Sequence, residues 1–300
     1  MHKLSSIALA PLLLLAGAHI AKADDAADTK AFRDYLTKAV TQGSTDKAKV
    51  AAFYKTTSAY WGNHWRDYTD HPEKYADVMA LYRKGQIAYP HKPEERDPER
   101  YRKDIEAFKA YDSKNAPPKN PALFVGSSTI MAWKTADYFP GFSVLNRGFG
   151  GSVIGDVQYF YKDVIGKYQP SVVLFYCDND VTGGFSGDVA FDKTMKVYNR
   201  FRADFPKVPF VFLSMKHAPN FAFADPGEPK AIDRYNELAR AQAKKDPLFK
   251  YFDIDARVLG AGGKVQADLY ETGEHLNDKG FARIVPELQK MLVSMNVPRS

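Results

Sequence analysis

Apolar and polar positions are arranged differently in the two parts of this chain. Beyond residue 121, short unbroken apolar runs alternate with stretches of helical periodicity. The runs are Ala122–Val125, Phe142–Leu145, Ser171–Tyr176, Val208–Leu213 and Tyr251–Ile254. The helical stretches cover about 153–168, 188–205, 229–245 and 278–294. A strand that is apolar at consecutive positions is buried on both faces, and strands separated by helices are joined by crossovers. The pattern therefore predicts an α/β fold with a parallel sheet covered on both sides. Residues 24–115 read as helices, with apolar positions three and four apart: Phe32, Tyr35, Leu36 and Val40, then Tyr75, Val78, Met79 and Tyr82, then Tyr101, Ile105 and Phe108. Pro98 after Asp97 fits a capped first turn. The aromatic stretch Tyr60, Trp61, Trp65 and Tyr68 can stack on sugars, but packing a helix layer onto a core is the reading preferred here. The breakers Pro117, Pro118 and Pro121 separate this region from the 116–300 domain.

In a parallel sheet, chemistry collects beyond the carboxyl ends of the strands. The first run leads into Gly126-Ser127-Ser128, where a serine near a helix N-terminus is either a cap or a nucleophile. The second leads into Gly148, Gly150 and Gly151. Val153 at the sixth position breaks the dinucleotide pattern, and no Gly-Lys-Ser/Thr follows, so this loop is an oxyanion donor or a plain turn. The third leads into Cys177, Asp178, Asn179 and Asp180. No neighbouring acidic cluster completes a hard-cation site, which leaves Asn179 as a hydrogen-bond donor and Cys177 as a buried, inert thiol. His275, flanked by Glu271 and Glu274, lies in a polar loop before the last helix. It is either a surface histidine or a general base.

Composition narrows the class. With 45% hydrophobic and 26% charged residues, the 300-residue chain can build its own core and is not disordered. A single cysteine excludes a disulfide framework and multi-cysteine metal sites. Lys3, the apolar stretch Leu4–Ala18 and Ala21-Lys22-Ala23 have the layout of a secretory signal, 1–23, rather than a transmembrane anchor. A periplasmic or secreted protein is expected, with no stable membrane insertion after cleavage. Loss of Lys3 and Lys22 lowers the net charge from +6 to +4. The charges are interspersed, so no nucleic-acid partner is expected.

The order Ser, Gly, Asn, His at successive strand ends resembles the SGNH (GDSL) hydrolase superfamily, and more narrowly its platelet-activating-factor acetylhydrolase-like branch. The resemblance spans about residues 95–295. It rests on Leu123–Ile130, Leu145–Ser152, Asp178–Asp180 and Gly273–Gly280. It implies a three-layer α/β/α sandwich with a five-stranded parallel sheet and no metal or organic cofactor. It further implies Ser128 as nucleophile, His275 as general base, and the Gly151 N–H, the Asn179 amide and the Ser128 N–H as the oxyanion hole. Three positions depart from the family. Ser127 replaces the aspartate of Gly-Asp-Ser, Cys177 replaces a glycine, and Thr272 stands where the family has the triad aspartate. Glu271, Glu274, Thr272 and a backbone carbonyl are the alternatives for orienting His275. The expected function is esterase action on short, acetyl-like esters, including those of carbohydrates. A glycan-binding module that has lost turnover, and an acyltransferase using the same residues, are the competing readings.

Overall fold

The computed structural model describes residues 25–223 and 227–299, and the expected signal segment 1–23 lies outside them. Four helices come first: α1 (Asp25–Gln42), α2 (Lys47–Asp70), α3 (Ala76–Ala88) and α4 (Arg102–Lys114). Asp46 caps α2 by accepting from the Ala48 and Lys49 N–H groups. The Asp97-Pro98 signal forms a 3-10 turn, Pro98–Tyr101, which leads into α4. The sheet follows as β1 (Ala122–Gly126), β2 (Val144–Gly148), β3 (Val172–Tyr176), β4 (Phe210–Leu213) and β5 (Phe249–Phe252). Between the strands run α5 (Ser128–Ala132), α6 (Thr135–Tyr138), α7 (Ile154–Tyr159), α8 (Asn179–Thr182), α9 (Gly187–Asp204) and α10 (Glu228–Lys245). Two helices, α11 (Asp255–Val258) and α12 (Asp278–Ser294), close the fold.

All five strands are parallel, in the order β2-β1-β3-β4-β5. Every residue of β1, β3 and β4 is buried, as expected where both faces are covered. The edge strands differ from their apolar runs. β2 begins two residues later than Phe142 and continues through Asn146, Arg147 and Gly148, and β5 starts at Phe249 and stops before Asp253. Edge positions tolerate polar side chains, so hydrophobicity alone misplaces their ends. The stretch 153–168 is not one helix: α7 ends at Tyr159 and a π-helical turn, Lys162–Gly166, follows.

The aromatic stretch of α2 is interior. Trp61 is 2% exposed and stacks on Phe223 at 4.2 Å. Arg83 and Gln86 of α3 donate to the carbonyls of Ala222 and Phe223, and Arg66 of α2 donates to the Tyr270 carbonyl. The N-terminal helices thus brace two loops at the carboxyl end of the sheet. This packing also withdraws the surface on which a sugar-stacking role would rest.

Candidate active site

In this strand order the direction in which strands are added reverses between β1 and β3, the point beyond whose strand ends such sheets form a ligand crevice. Both flanks of that crevice carry candidate residues. β1 turns at Gly126, whose φ of 144° puts it in a region that L side chains rarely adopt. A Cβ there would also collide with the Tyr176 carbonyl. Ser128 follows as the first residue of α5. β3 leads into Asp178 and Asn179.

His275 reaches this point from a closed loop. Tyr270 and Leu276 form an isolated bridge, the Glu271 N–H donates to the His275 carbonyl at 2.9 Å, and Asn277 caps α12. Its Nε2 lies 2.9 Å from Ser128 Oγ, hydrogen-bonding distance for proton transfer. Its Nδ1 meets Thr272 Oγ1 at 3.0 Å. Thr272 Oγ1 also accepts the His275 backbone N–H at 3.1 Å, so the hydroxyl is built into the turn that presents the ring. Of the acidic alternatives, Glu274 does approach the ring, but from the other side: Oε1 stands 3.6 Å from Nε2. Glu271 contributes its backbone rather than its carboxylate. Among the described residues, the imidazole therefore has a hydroxyl where the resembled family has a carboxylate.

The oxyanion candidates come from the strand-end loops that flank Ser128, and a Cβ on Gly150, next to Gly151, would stand 4.0 Å from the Ser128 Cβ. Gly151 is left-handed, at φ 76°, in the turn that closes with Ser152 N–H donating to Phe149 O. Neither the Gly151 nor the Ser128 N–H donates to a protein acceptor among the described residues, which leaves both available to an oxygen anion. Asn179 Nδ2 donates to the Ser152 carbonyl at 2.9 Å, and its second hydrogen remains for another acceptor. Two buried carboxylates hold this loop. Asp156 accepts the Val153 N–H and pairs with Arg100, and Asp180 accepts the Ile154 N–H and pairs with Lys193. Burial pushes the Asp156 carboxyl up to about 6 against the pull of Arg100. Cys177 is buried with Sγ 3.3 Å from the Ser152 carbonyl, and burial first, then Asp180, drives its thiol well above the usual range. It is an inert thiol, unsuited to nucleophilic attack.

Three further residues reach the site in roles that the sequence did not assign to them. Tyr101, from the N-terminal region, packs edge-on to Phe149 at 5.1 Å, and its hydroxyl lies 3.1 Å from where a Cβ on Gly151 would stand. Lys216 is wholly buried just beyond β4, and Ser127 is buried beneath Ser128. The polar run Ser214, Lys216, His217 after an apolar strand carries the same signal as the other strand ends. Tyr101 carries no such signal, because its place depends on how the helical region docks.

His217, also beyond β4, pairs with a carboxylate. Its Nδ1 lies 2.8 Å from Asp255 Oδ2 and its N–H donates to Asp255 Oδ1. The Asp255 hydrogen bond raises its pKa against the opposing effect of burial. A raised folded value means that protonation stabilises the fold. That contribution is complete below the unfolded histidine value of about 6.5 and fades as pH rises through the folded one. Urea unfolding of wild type and His217→Gln should therefore differ most at pH 5.5 to 6 and converge towards alkaline pH. A gap independent of pH would contradict the pairing.

No family model matches the chain, and no curated protein matches it. Solved structures do match. A Streptococcus pneumonia protein named for platelet activating factor aligns with 16% identity and a TM-score of 0.57, over 64% of this chain and 92% of its own. A GDSL-like lipase from Bacteroides thetaiotaomicron aligns with 15% identity and a TM-score of 0.56, over 64% and 98%. The fold is that of the SGNH hydrolases. A Bacteroides fragilis protein assigned as an acylhydrolase aligns likewise, with 17% identity and a TM-score of 0.55, over 67% and 99%. These SGNH-fold chains are covered almost end to end, whereas about a third of this chain lies outside the alignments.

Proposed function

We propose that the protein is an exported serine esterase acting on short, acetyl-like esters, with hydroxylated compounds such as carbohydrates as the alcohol part. The observation that carries this reading is the 2.9 Å approach of His275 Nε2 to Ser128 Oγ beside two unused backbone N–H groups. Ser128 Oγ attacks the ester carbonyl as His275 takes its proton. The carbonyl oxygen, now an anion, is held by the N–H groups of Ser128 and Gly151 and by the free Asn179 amide hydrogen. His275 then protonates the departing alcohol, and afterwards activates the water that releases the acid from Ser128. Export rests on the signal-like segment 1–23.

The preference for short acyl groups is supported by two polar groups beside the reacting atoms. The Tyr101 hydroxyl faces Gly151 and the Glu274 carboxylate stands beside His275 Nε2. A long alkyl chain gains little by lying against such groups, whereas a sugar can hydrogen-bond to them. The same residues serve acyl transfer if an acceptor hydroxyl replaces water, and product analysis separates the two.

A fluorophosphonate probe should label the protein once per chain, and the labelled peptide should contain Ser128. p-Nitrophenyl acetate should be turned over faster than the decanoate. Absence of labelling would remove the esterase reading, and equal turnover of the two esters would remove the chain-length preference.

A further inference from the structure

Beneath the nucleophile lies a buried polar network that the reaction steps above do not use. Lys216 is 0% exposed and leaves the end of β4. Its Nζ lies 3.2 Å from the Tyr176 hydroxyl, 3.4 Å from Thr129 Oγ1 and 3.9 Å from Asp178 Oδ2. Tyr176 O–H donates onward to Asp178 Oδ2 at 3.0 Å, and Ser127 O–H donates to Asp178 Oδ1 at 2.8 Å. Burial keeps the Tyr176 phenol protonated, raising it well above its ordinary value. The phenol can therefore accept from the ammonium and donate to the carboxylate at once.

The attachment points of this network are specific. Ser127 and Thr129 are the two chain neighbours of Ser128, and Asp178 directly precedes Asn179. We infer that the buried Lys216–Tyr176–Asp178 network is a positioning device, which locks the residues on both sides of the nucleophile and the residue before the oxyanion amide to a single point beneath the crevice. This inference rests on Ser128 being the nucleophile. Serine at 127 suits the arrangement. An aspartate there, as in the resembled family, would set a second carboxylate against the buried Asp178, whereas a hydroxyl donates to it. The network joins the ends of β1, β3 and β4, so it fixes the relative placement of groups that no single loop holds together.

Two isosteric substitutions probe it without removing either charge: Tyr176→Phe deletes the bridging hydroxyl and Thr129→Val deletes the tether on α5. A third, the paired Lys216→Met with Asp178→Asn, removes both charges together. Each is measured by the rate constant for fluorophosphonate labelling, by kcat and KM on p-nitrophenyl acetate, and by the thermal midpoint. Misplacement of reacting groups by about 1 Å can cost on the order of 10²-fold in rate, so labelling and kcat are expected to fall together by about 10- to 100-fold while KM stays within about 2-fold. A network that only stabilises the fold would lower the midpoint and leave folded Tyr176→Phe and Thr129→Val protein labelling at the wild-type rate, which overturns the inference. Wild-type protein that does not label overturns the serine-esterase reading and this role with it. Wild-type labelling with unchanged variants overturns this role alone.

Discussion

Exchanging Ser128 for alanine is expected to lower turnover of p-nitrophenyl acetate by about 10²- to 10⁴-fold, with circular dichroism and thermal midpoint preserved. The range follows from what the histidine lacks. In a complete Ser-His-Asp set, removal of the nucleophile costs on the order of 10⁶ and removal of the acid alone on the order of 10⁴. A chain with Thr272 in the acid position therefore has about 10² still to lose if the hydroxyl contributes nothing, and more if it holds the ring in place. Thr272 Oγ1 sits 3.0 Å from Nδ1, so the upper part of the range is expected. Ser128 is only partly covered at the head of α5, and alanine is a good helix former, so folding is not at stake. Equal rates for the two proteins would end the assignment of Ser128.

Replacing Thr272 by aspartate is expected to raise kcat by about 10-fold or more, and Thr272→Val to lower it by a similar factor. The physical difference lies in what each side chain allows. A threonine hydroxyl can accept the Nδ1 proton, leaving Nε2 free to take the proton of Ser128. It can equally donate to Nδ1, which puts the proton on Nε2 and blocks that step. A carboxylate only accepts, so it selects the productive tautomer and stabilises the imidazolium that forms. It also retains the caps on the His275 and Glu274 N–H groups that Thr272 Oγ1 supplies now. A neighbouring anion raises the basicity of imidazole, so the acid limb of the kcat/KM profile should move to higher pH in Thr272→Asp. An unchanged rate together with an unmoved limb would mean that His275 is not governed through Nδ1. The Glu274 carboxylate cannot do this work from where it stands, 3.6 Å from Nε2 on the side of the reacting serine.

Different parts of the molecule were legible in the sequence to different degrees. β1, β3 and β4 are uniformly buried, so their apolar runs announce them. β2 extends into Asn146-Arg147-Gly148 because an edge strand can expose one side. Arg147 is nonetheless buried there by its pairing with Asp112 and Tyr168, residues distant in sequence. Trp61 and Trp65 favour packing over a binding face in the sequence, but the pattern does not name what they pack against. Their burial was decided by Phe223 and the other groups against which α2 docks.

By itself, the sequence determined the α/β alternation and the candidates at the strand ends, because apolar periodicity and turn residues act over a few positions. Tertiary structure alone decided the rest. It brought Ser128 to His275 across 147 positions of chain, and set Thr272 rather than a glutamate at Nδ1. It placed Tyr101 beside Gly151, and joined Lys216, Tyr176 and Asp178 beneath the nucleophile. Each of these contacts depends on distances between separate elements, and those are fixed only when strands pair in register and helices pack. The lysine shows the reason most clearly. An ammonium is stable in a water-free interior only where other parts of the chain supply its partners, and local sequence pattern does not reveal which parts those are.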